Sequence, residues 1–333
     1  HHPGLHLLFL RVRTISYGGS CSSSTTSASS GNNAFSFGAL GEGTYSDCTI
    51  TVTDAAGNAS STLSVSSFTV DTTAPTLAEV TAVSTPTNDT TPAYTFSSTE
   101  AGTISYGGSC TSATASASAD NTTISFNALT DGAYSNCEIT VADSATNQSN
   151  TLSVSAFTID ATAPTVSSVS SSTANGTYGV GGSIAVTVTF NDRVIVDNSS
   201  GNPRIQLETG TTDQYATYTS GNSTSVLSFQ YTVVSGDNSS DLDYKATSSL
   251  SANSGTIRDN TSNDATLTLP APGASGSLGA NKAIIIGEWM QQAYIKAANN
   301  DTGDYFSRVV AIDGDTLAVG APREDSNQTT ITN

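Results

Sequence analysis

The sequence repeats itself at a fixed distance. Residues 14–21 (TISYGGSC) return at 103–110, residues 45–58 (YSDCTITVTDAAGN) return as YSNCEITVADSATN at 134–147, and residues 68–76 (FTVDTTAPT) return as FTIDATAPT at 157–165. The offset is 89 residues at all three places, with no insertion. A period of about 90 residues is too long for a solenoid unit and suits an independently folded β-sandwich of about seven strands. Inside a copy, Cys137, Ile139 and Val141 alternate with Glu138, Thr140 and Ala142, the pattern of a half-buried strand. Gly, Asn and Asp in YGGS, DGAYS and DAAGN supply the turns. Pro75 and Pro164 stand where a strand must stop donating hydrogen bonds, which suits a short hinge between modules. These features divide the chain into 1–75, 76–164, 165–287 and 288–333.

Each copy holds two cysteines 27 residues apart, Cys21 with Cys48 and Cys110 with Cys137, with no CxxC spacing. One intradomain disulfide per copy is expected, as in an oxidising compartment; buried free thiols are the alternative. Zinc is excluded, because two thiolates leave its tetrahedral shell half empty.

Composition narrows the function. Ten Lys and Arg stand against 28 Asp and Glu, a formal net charge of -18, so a nucleic-acid backbone or an anionic membrane surface would be repelled. Only 11% of residues are charged, and Ser and Thr make up roughly a third of the chain, while helix formers are scarce. This is a β-rich, secreted type of composition. No apolar stretch of about 18 residues could span a bilayer, and no signal peptide opens the sequence, so either the chain is cut from a longer one or it is not exported.

From residue 165 the pattern changes to longer runs without cysteine: 183–190 (SIAVTVTF), 215–220 (YATYTS), 225–233 (SVLSFQYTV) and 265–270 (ATLTLP). The alternation of Ile184, Val186, Val188 and Phe190 reads as a sheet with one buried face. Acids gather in the loops: Asp192, Asp197, Asp237, Asp241, Asp243, Asp259 and Asp264. Loop carboxylates with backbone carbonyls are what calcium needs, six to eight hard oxygens, although the spacing is not that of an EF-hand and solvated acidic turns are the other reading. The candidate calcium ligands are Asp192, Asp237, Asp241, Asp243, Asp259 and Asp264, with Asp71 and Asp160 at the two junctions. At the far end, residues 309–312 and 316–319 flank Asp313-Gly314-Asp315, a hairpin signal.

The duplicated unit, with its paired cysteines, DAAGN turn and DTTAP junction, resembles the bacterial immunoglobulin-like repeats of large surface and secreted proteins over residues 14–164. The segment with GGSIAVTVTF, GDNSSDLDY and SLGANKAIII resembles another Ig-like or cadherin-like repeat. The tail resembles the FG-GAP repeat of integrin-type propellers, with Gly320-Ala321-Pro322 as the GAP element and Phe306-Ser307 at the FG position. Ser307 departs from that pattern, and the DxDxDG calcium loop of some such repeats is absent. The resemblance implies an all-β chain of tandem Ig-like β-sandwiches ending in a truncated β-propeller blade. It also implies a monomeric rod at the cell surface or in the extracellular medium, whose partner is a protein or a glycan.

Catalytic chemistry finds little footing. A Ser-His-Asp or Cys-His arrangement needs an imidazole, and no His follows His6. Paired carboxylates for glycoside hydrolysis need a cleft that sequence cannot display. Gly179 to Gly182 precedes a strand and no helix, so it is no phosphate cradle. The eleven Asn-x-Ser/Thr sequons reflect the Ser/Thr content. The expectation is therefore a non-enzymatic adhesion or structural fragment. Its rivals are an accessory region of an extracellular hydrolase and direct glycan binding through Tyr215 and Tyr218, for which core or cross-strand packing is the plainer role.

Residues 1–13 break the repeat. HHPGLHLLFLRVR stands opposite TTPAYTFSSTEAG at 90–102 and shares only a proline with it. Reading a coding sequence for TTPAYTFSSSESG one nucleotide early yields HHPGLHLLFLRVR, so the segment is read as a frameshift whose frame is restored at Thr14. A genuine apolar strand or a tag remnant is the alternative. On the frameshift reading all three histidines, together with Arg11 and Arg13, are artefacts. Sequencing the coding nucleic acid across residues 1–14 tests this: a frame change is expected before Thr14, and an uninterrupted frame refutes the reading.

Overall fold

The computed structural model describes residues 13–287, 309–313 and 316–320. It is nearly all β, with one four-residue helix at Leu278–Asn281 among the described residues, and its largest sheet is a half-barrel. The chain divides into two compact units. The first comprises residues 1–164 together with an excursion at 258–265, and the second comprises 165–257 and 266–333.

In the first unit the second repeat is built from two sheets and a short pair. One sheet runs in the order Ser116–Ala117, Gly102–Gly107, Glu138–Ala142, Leu152–Ser153, and the other in the order Asp120–Ser125, Ala93–Ser98, Leu77–Thr81. Gly132–Tyr134 pairs with Phe157–Ile159. All ladders are antiparallel, and the period of two puts alternate residues inside. Ile139 and Val141 are buried while Glu138 is exposed. Both sheets feed one hydrophobic cluster, with Ile104, Ile139 and Val141 from one and Tyr94, Phe96 and Ile124 from the other. Tyr94, fully enclosed, keeps its hydroxyl satisfied by donating to Glu79 Oε2 at 3.1 Å.

The first repeat keeps the sheet Ser27–Ala28, Arg13–Gly18, Thr49–Thr53, Leu63–Ser64 and the pair Gly43–Tyr45 with Phe68–Val70. Residues 31–36, the counterparts of Asp120–Ser125, form no strand. Their ladder partner in the second repeat is Ala93–Ser98, which aligns with residues 4–9, outside the described residues. Ile50, Val52, Phe37 and Phe68 are half-buried where Ile139, Val141, Phe126 and Phe157 are buried.

Each repeat is stapled. Cys21 is bonded to Cys48 and Cys110 to Cys137, with Cα–Cα distances of 5.3 and 5.2 Å. The YGGS turn fixes this geometry: Gly19 and Gly108 have φ of +74° and +72°, and a Cβ on either would lie 2.1 or 1.8 Å from the carbonyl oxygen of Asp47 or Asn136. Only glycine lets the strand pass so close to the residue preceding the second cysteine.

The second unit carries the half-barrel. Its strands run in the order Val166–Ser171, Ser183–Asp197, Thr224–Thr232, Gln214–Ser220, Arg204–Leu207, Leu250–Ser251, with Thr256–Arg258 also pairing with Ser183–Asp197. Ile184, Val186, Val188 and Phe190 face Leu227, Phe229 and Tyr231 in its core. The strand predicted for 183–190 extends to Asp197, because an irregularity between Thr189 and Val194 absorbs the exposed 191–193 and Val194 and Val196 bury again. The run 265–270 is not a strand, contrary to the periodicity. Leu269 is buried, and among the described residues the run's one bridge partner is Thr165, at Thr266. Gly176–Tyr178 and Ile284–Ile286 form a parallel pair. Val309–Asp313 and Thr316–Gly320 pair antiparallel, as a hairpin around residues 314–315 requires. The remainder of 288–333, with Phe306, Ser307 and the GAP tripeptide beyond Gly320, lies outside the described residues.

Replacing both Cys110 and Cys137 by serine removes the closure of a loop of 27 residues. The expected loss is about 3 kcal/mol, read as a lowered midpoint for the second repeat in denaturant unfolding.

Candidate functional site

A five-residue turn of the form Asp-x-x-x-Asn occurs three times in the first unit: 54–58, 143–147 and 259–263. In each, one aspartate oxygen collects backbone N–H groups from inside the turn. Asp54 Oδ1 accepts from Ala56 N at 2.8 Å and Asn58 N at 2.9 Å, Asp143 Oδ1 from Asn147 N at 2.8 Å, and Asp259 Oδ1 from Thr261 N and Asn263 N, both at 2.9 Å. The fourth residue lies at positive φ throughout: Gly57 at 89°, Thr146 at 73° and Ser262 at 74°. For Thr and Ser this left-handed backbone costs about 1 kcal/mol, offset by the aspartate's bonds. Asp143 and Asp259 are buried. Burial alone would raise their pKa values, but the donors from Asn147 and from Asn263 and Thr261 outweigh it and hold both carboxyls below the ordinary range.

The asparagine amide has two N–H groups, and the turn uses one. Asn147 Nδ2 donates to Asp143 Oδ2 at 2.8 Å and to the backbone carbonyl of Asp71 at 3.1 Å. Asn263 Nδ2 donates to Asp259 Oδ2 at 2.8 Å and to the carbonyl of Asp160 at 2.8 Å. Asp71 and Asp160 open the DTTAP and DATAP linkers, so each linker is held by an asparagine far ahead in sequence. The same linkers are held from behind. Glu42 Oε2 accepts the Thr73 hydroxyl at 2.6 Å, and Asp131, its counterpart 89 residues later, accepts Ala161 N at 2.8 Å and the Thr162 hydroxyl. These bonds hold the Asp131 carboxyl below its ordinary pKa, the Thr162 hydroxyl contributing most. Just past the first linker, Asn150 brackets Leu77, accepting from its N–H at 2.8 Å and donating to its carbonyl at 3.2 Å.

The clamp at the first linker also gathers charge. Carboxylate oxygens of Asp71, Glu100 and Asp143 lie within 4.8 Å of one another, and this is the one such group of three possible metal-binding side chains among the described residues. Desolvation, then the charges of Asp71, Asp143 and Glu42, raise the Glu100 pKa. Three hard oxygens spanning at most 4.8 Å fit around a calcium ion, whose ligands stand about 2.4 Å from the metal.

Asp71 thus joins this group through residues that the sequence reading did not single out, Glu100 and Asp143. The available signal was the threefold Asp-x-x-x-Asn spacing, which recurs in a segment otherwise unlike the repeats. Asp160 lies against the third turn, with its Oδ2 3.5 Å from the Thr261 hydroxyl. Among the described residues no three of the loop acids converge. Asp192 accepts the N–H of Arg193, Asp264 is ion-paired with Arg258 at 2.6 Å, and buried Asp237 accepts the Tyr231 hydroxyl at 2.5 Å and Val234 N at 2.8 Å. Asp259 is the acceptor of its own turn. Asp241 and Asp243 both approach Gly279, and Asp243 accepts Tyr244 N and Gly273 N at 2.9 Å. Tyr215 and Tyr218 form no shared platform: the Arg204 guanidinium lies 4.2 Å over the Tyr215 ring, and Tyr218 packs edge-on against Phe229.

Among the described residues no helix is long and apolar enough to cross a membrane. A family model described as the FG-GAP repeat matches residues 289–330. No curated protein matches the chain. The FG-GAP match suggests an extracellular or adhesion-type β-rich protein, and the two disulfides agree with an extracellular location.

Asn147→Ala is expected to leave buried Asp143 short of a donor and the Asp71 carbonyl unheld. The loss is about 2 kcal/mol, and hydrogen exchange at the amides of residues 72–74 accelerates. The acid dependence has a fixed sign. Asp131, Asp143 and Asp259 have lowered folded pKa values, so their contribution is complete above the unfolded value near 3.8 and is lost as pH falls through the folded values. Glu100 acts oppositely, because protonation through its raised folded pKa relieves the desolvation of its charge and the repulsion from its neighbours. In a pH series of thermal unfolding, Glu100→Gln is therefore expected to stabilise the metal-free protein at neutral pH and to have little effect below pH about 4.

Proposed function

We propose that the chain is a non-enzymatic, extracellular structural segment of an adhesion-type protein, made of tandem Ig-like modules whose linkers are clamped rather than free. The observation that carries this reading is the double grip on each linker, from Glu42 and Asn147 on 71–75 and from Asp131 and Asn263 on 160–164. Junctions between independent domains are flexible by default and bury few contacts. A linker whose backbone carbonyl and threonine hydroxyls are committed on both sides transmits orientation and load instead, which suits a spacer that presents something else. Two disulfides and a formal charge of -18 fit a soluble extracellular role.

Calcium belongs to the same proposal, at Asp71, Glu100 and Asp143. A divalent cation there would offset the desolvation and the repulsion that raise the Glu100 pKa and would tie the linker aspartate to the second repeat. Thermal unfolding of the full chain in EDTA and then in millimolar calcium tests this. A ligand at a hundred times its dissociation constant adds about 2.7 kcal/mol, a visible rise in midpoint. The rise is expected to vanish in Glu100→Gln. Equal midpoints with and without calcium would remove the metal from the proposal and leave the hydrogen-bonded clamp, which Asn147→Ala tests separately.

A further inference from the structure

The first of the three turns is built like the other two, yet its asparagine holds no linker. Among the described residues, Asn58 Nδ2 donates within the turn, to Asp54 Oδ2 at 3.2 Å and more weakly to Oδ1 at 3.4 Å. Beside it lies a cleft of about 400 Å3 lined by Ala28, Ser29, Asn33, Asp54, Asn58 and Ser60 among others. Shifted by 89 residues these positions are Ala117, Ser118, Thr122, Asp143, Asn147 and Ser149 of the second repeat, the surface at which Asn147 takes hold of the linker through the Asp71 carbonyl. Local structure matches as well. Ser29 N donates to Asn33 Oδ1 at 2.9 Å, and Ser118 N donates to Thr122 Oγ1 at 3.1 Å.

We propose that this cleft is a docking site for the tail of another module of the same kind, an extended Asp-x-Thr-Ala-Pro segment whose aspartate carbonyl accepts the second N–H of Asn58. The occupant is specified by two precedents within the molecule. Both segments of this composition, 71–75 and 160–164, have their aspartate carbonyl bound by the asparagine of an Asp-x-x-x-Asn turn, at 3.1 and 2.8 Å. Those two linkers are already engaged by Asn147 and Asn263, so the tail that fills the Asn58 cleft comes from a further module and not from the described linkers of a second copy. The acceptor is a backbone carbonyl, and in both precedents a linker threonine hydroxyl two residues on is held as well, so recognition depends on the order of the aspartate, threonine and proline along an extended chain.

This inference rests on the clamp reading of Asn147. The test uses the full chain, labelled with nitrogen-15, and a synthetic peptide SFTVDTTAPT, the sequence of residues 67–76. The side-chain amide resonance of Asn58 is expected to shift saturably at millimolar peptide, a shift that a scrambled peptide does not produce. In Asn58→Ala the neighbouring cleft resonances are expected to lose at least most of their response. No movement of Asn58, or equal movement with the scrambled peptide, overturns the proposal, as does undiminished binding to Asn58→Ala. The hydrogen exchange of Asn147→Ala is measured alongside. If that variant frees residues 72–74 while the peptide fails to bind, the docking site falls and the clamp stands; if neither effect is seen, both fall.

Discussion

A primary amide can serve two acceptors at once, and the junctions described here depend on that. An aspartate in the asparagine's place would accept and not donate, and would repel the carboxylate four residues before it. A serine would have one hydrogen to give. Asparagine satisfies its own turn with one N–H and reaches a separate stretch of backbone with the other. The turn must come first, because it is the buried aspartate that fixes where the amide points. Its cost in left-handed backbone at Thr146 and Ser262 is the cost of aiming that second N–H.

The repeat, the strand alternation in residues 137–142 and the cysteine spacing are all legible in the sequence, because each is a local or periodic property of it. The linker grip could not. Asn147 and Asp71 are 76 residues apart, and Asn263 and Asp160 are 103 apart, separations at which no periodicity speaks. The surroundings of the loop acids were equally hidden. Asp237 and Asp259 look like free ligands in sequence and are buried acceptors of internal donors in the fold. The run at 265–270 alternates as a strand should, yet a strand also needs a neighbour, and alternation says nothing about one.

The comparison of the two repeats bears on residue 13. Its counterpart Gly102 sits so close to the facing strand that a Cβ would fall 2.3 Å from the Ala142 carbonyl and 2.7 Å from Val141 Cγ1. On the frameshift reading, the in-frame sequence TTPAYTFSSSESG has glycine at position 13, where this chain has arginine. The same frame places glutamate at position 11, matching Glu100. A chain carrying those residues would bring to the first repeat both the close strand approach and the third carboxylate of the second.

Because the asparagine grips a carbonyl oxygen, which every residue possesses, the holding side makes few demands on what it holds. Two surfaces that recognise each other through side chains must change together over generations. A grip on main chain escapes that coupling. The turn at 259–263 makes the point: its sequence context shares little with the repeats, yet it holds its linker as Asn147 does. Modules joined in this way can be duplicated, lost or exchanged one at a time, and an array can change its length without redesigning its joints.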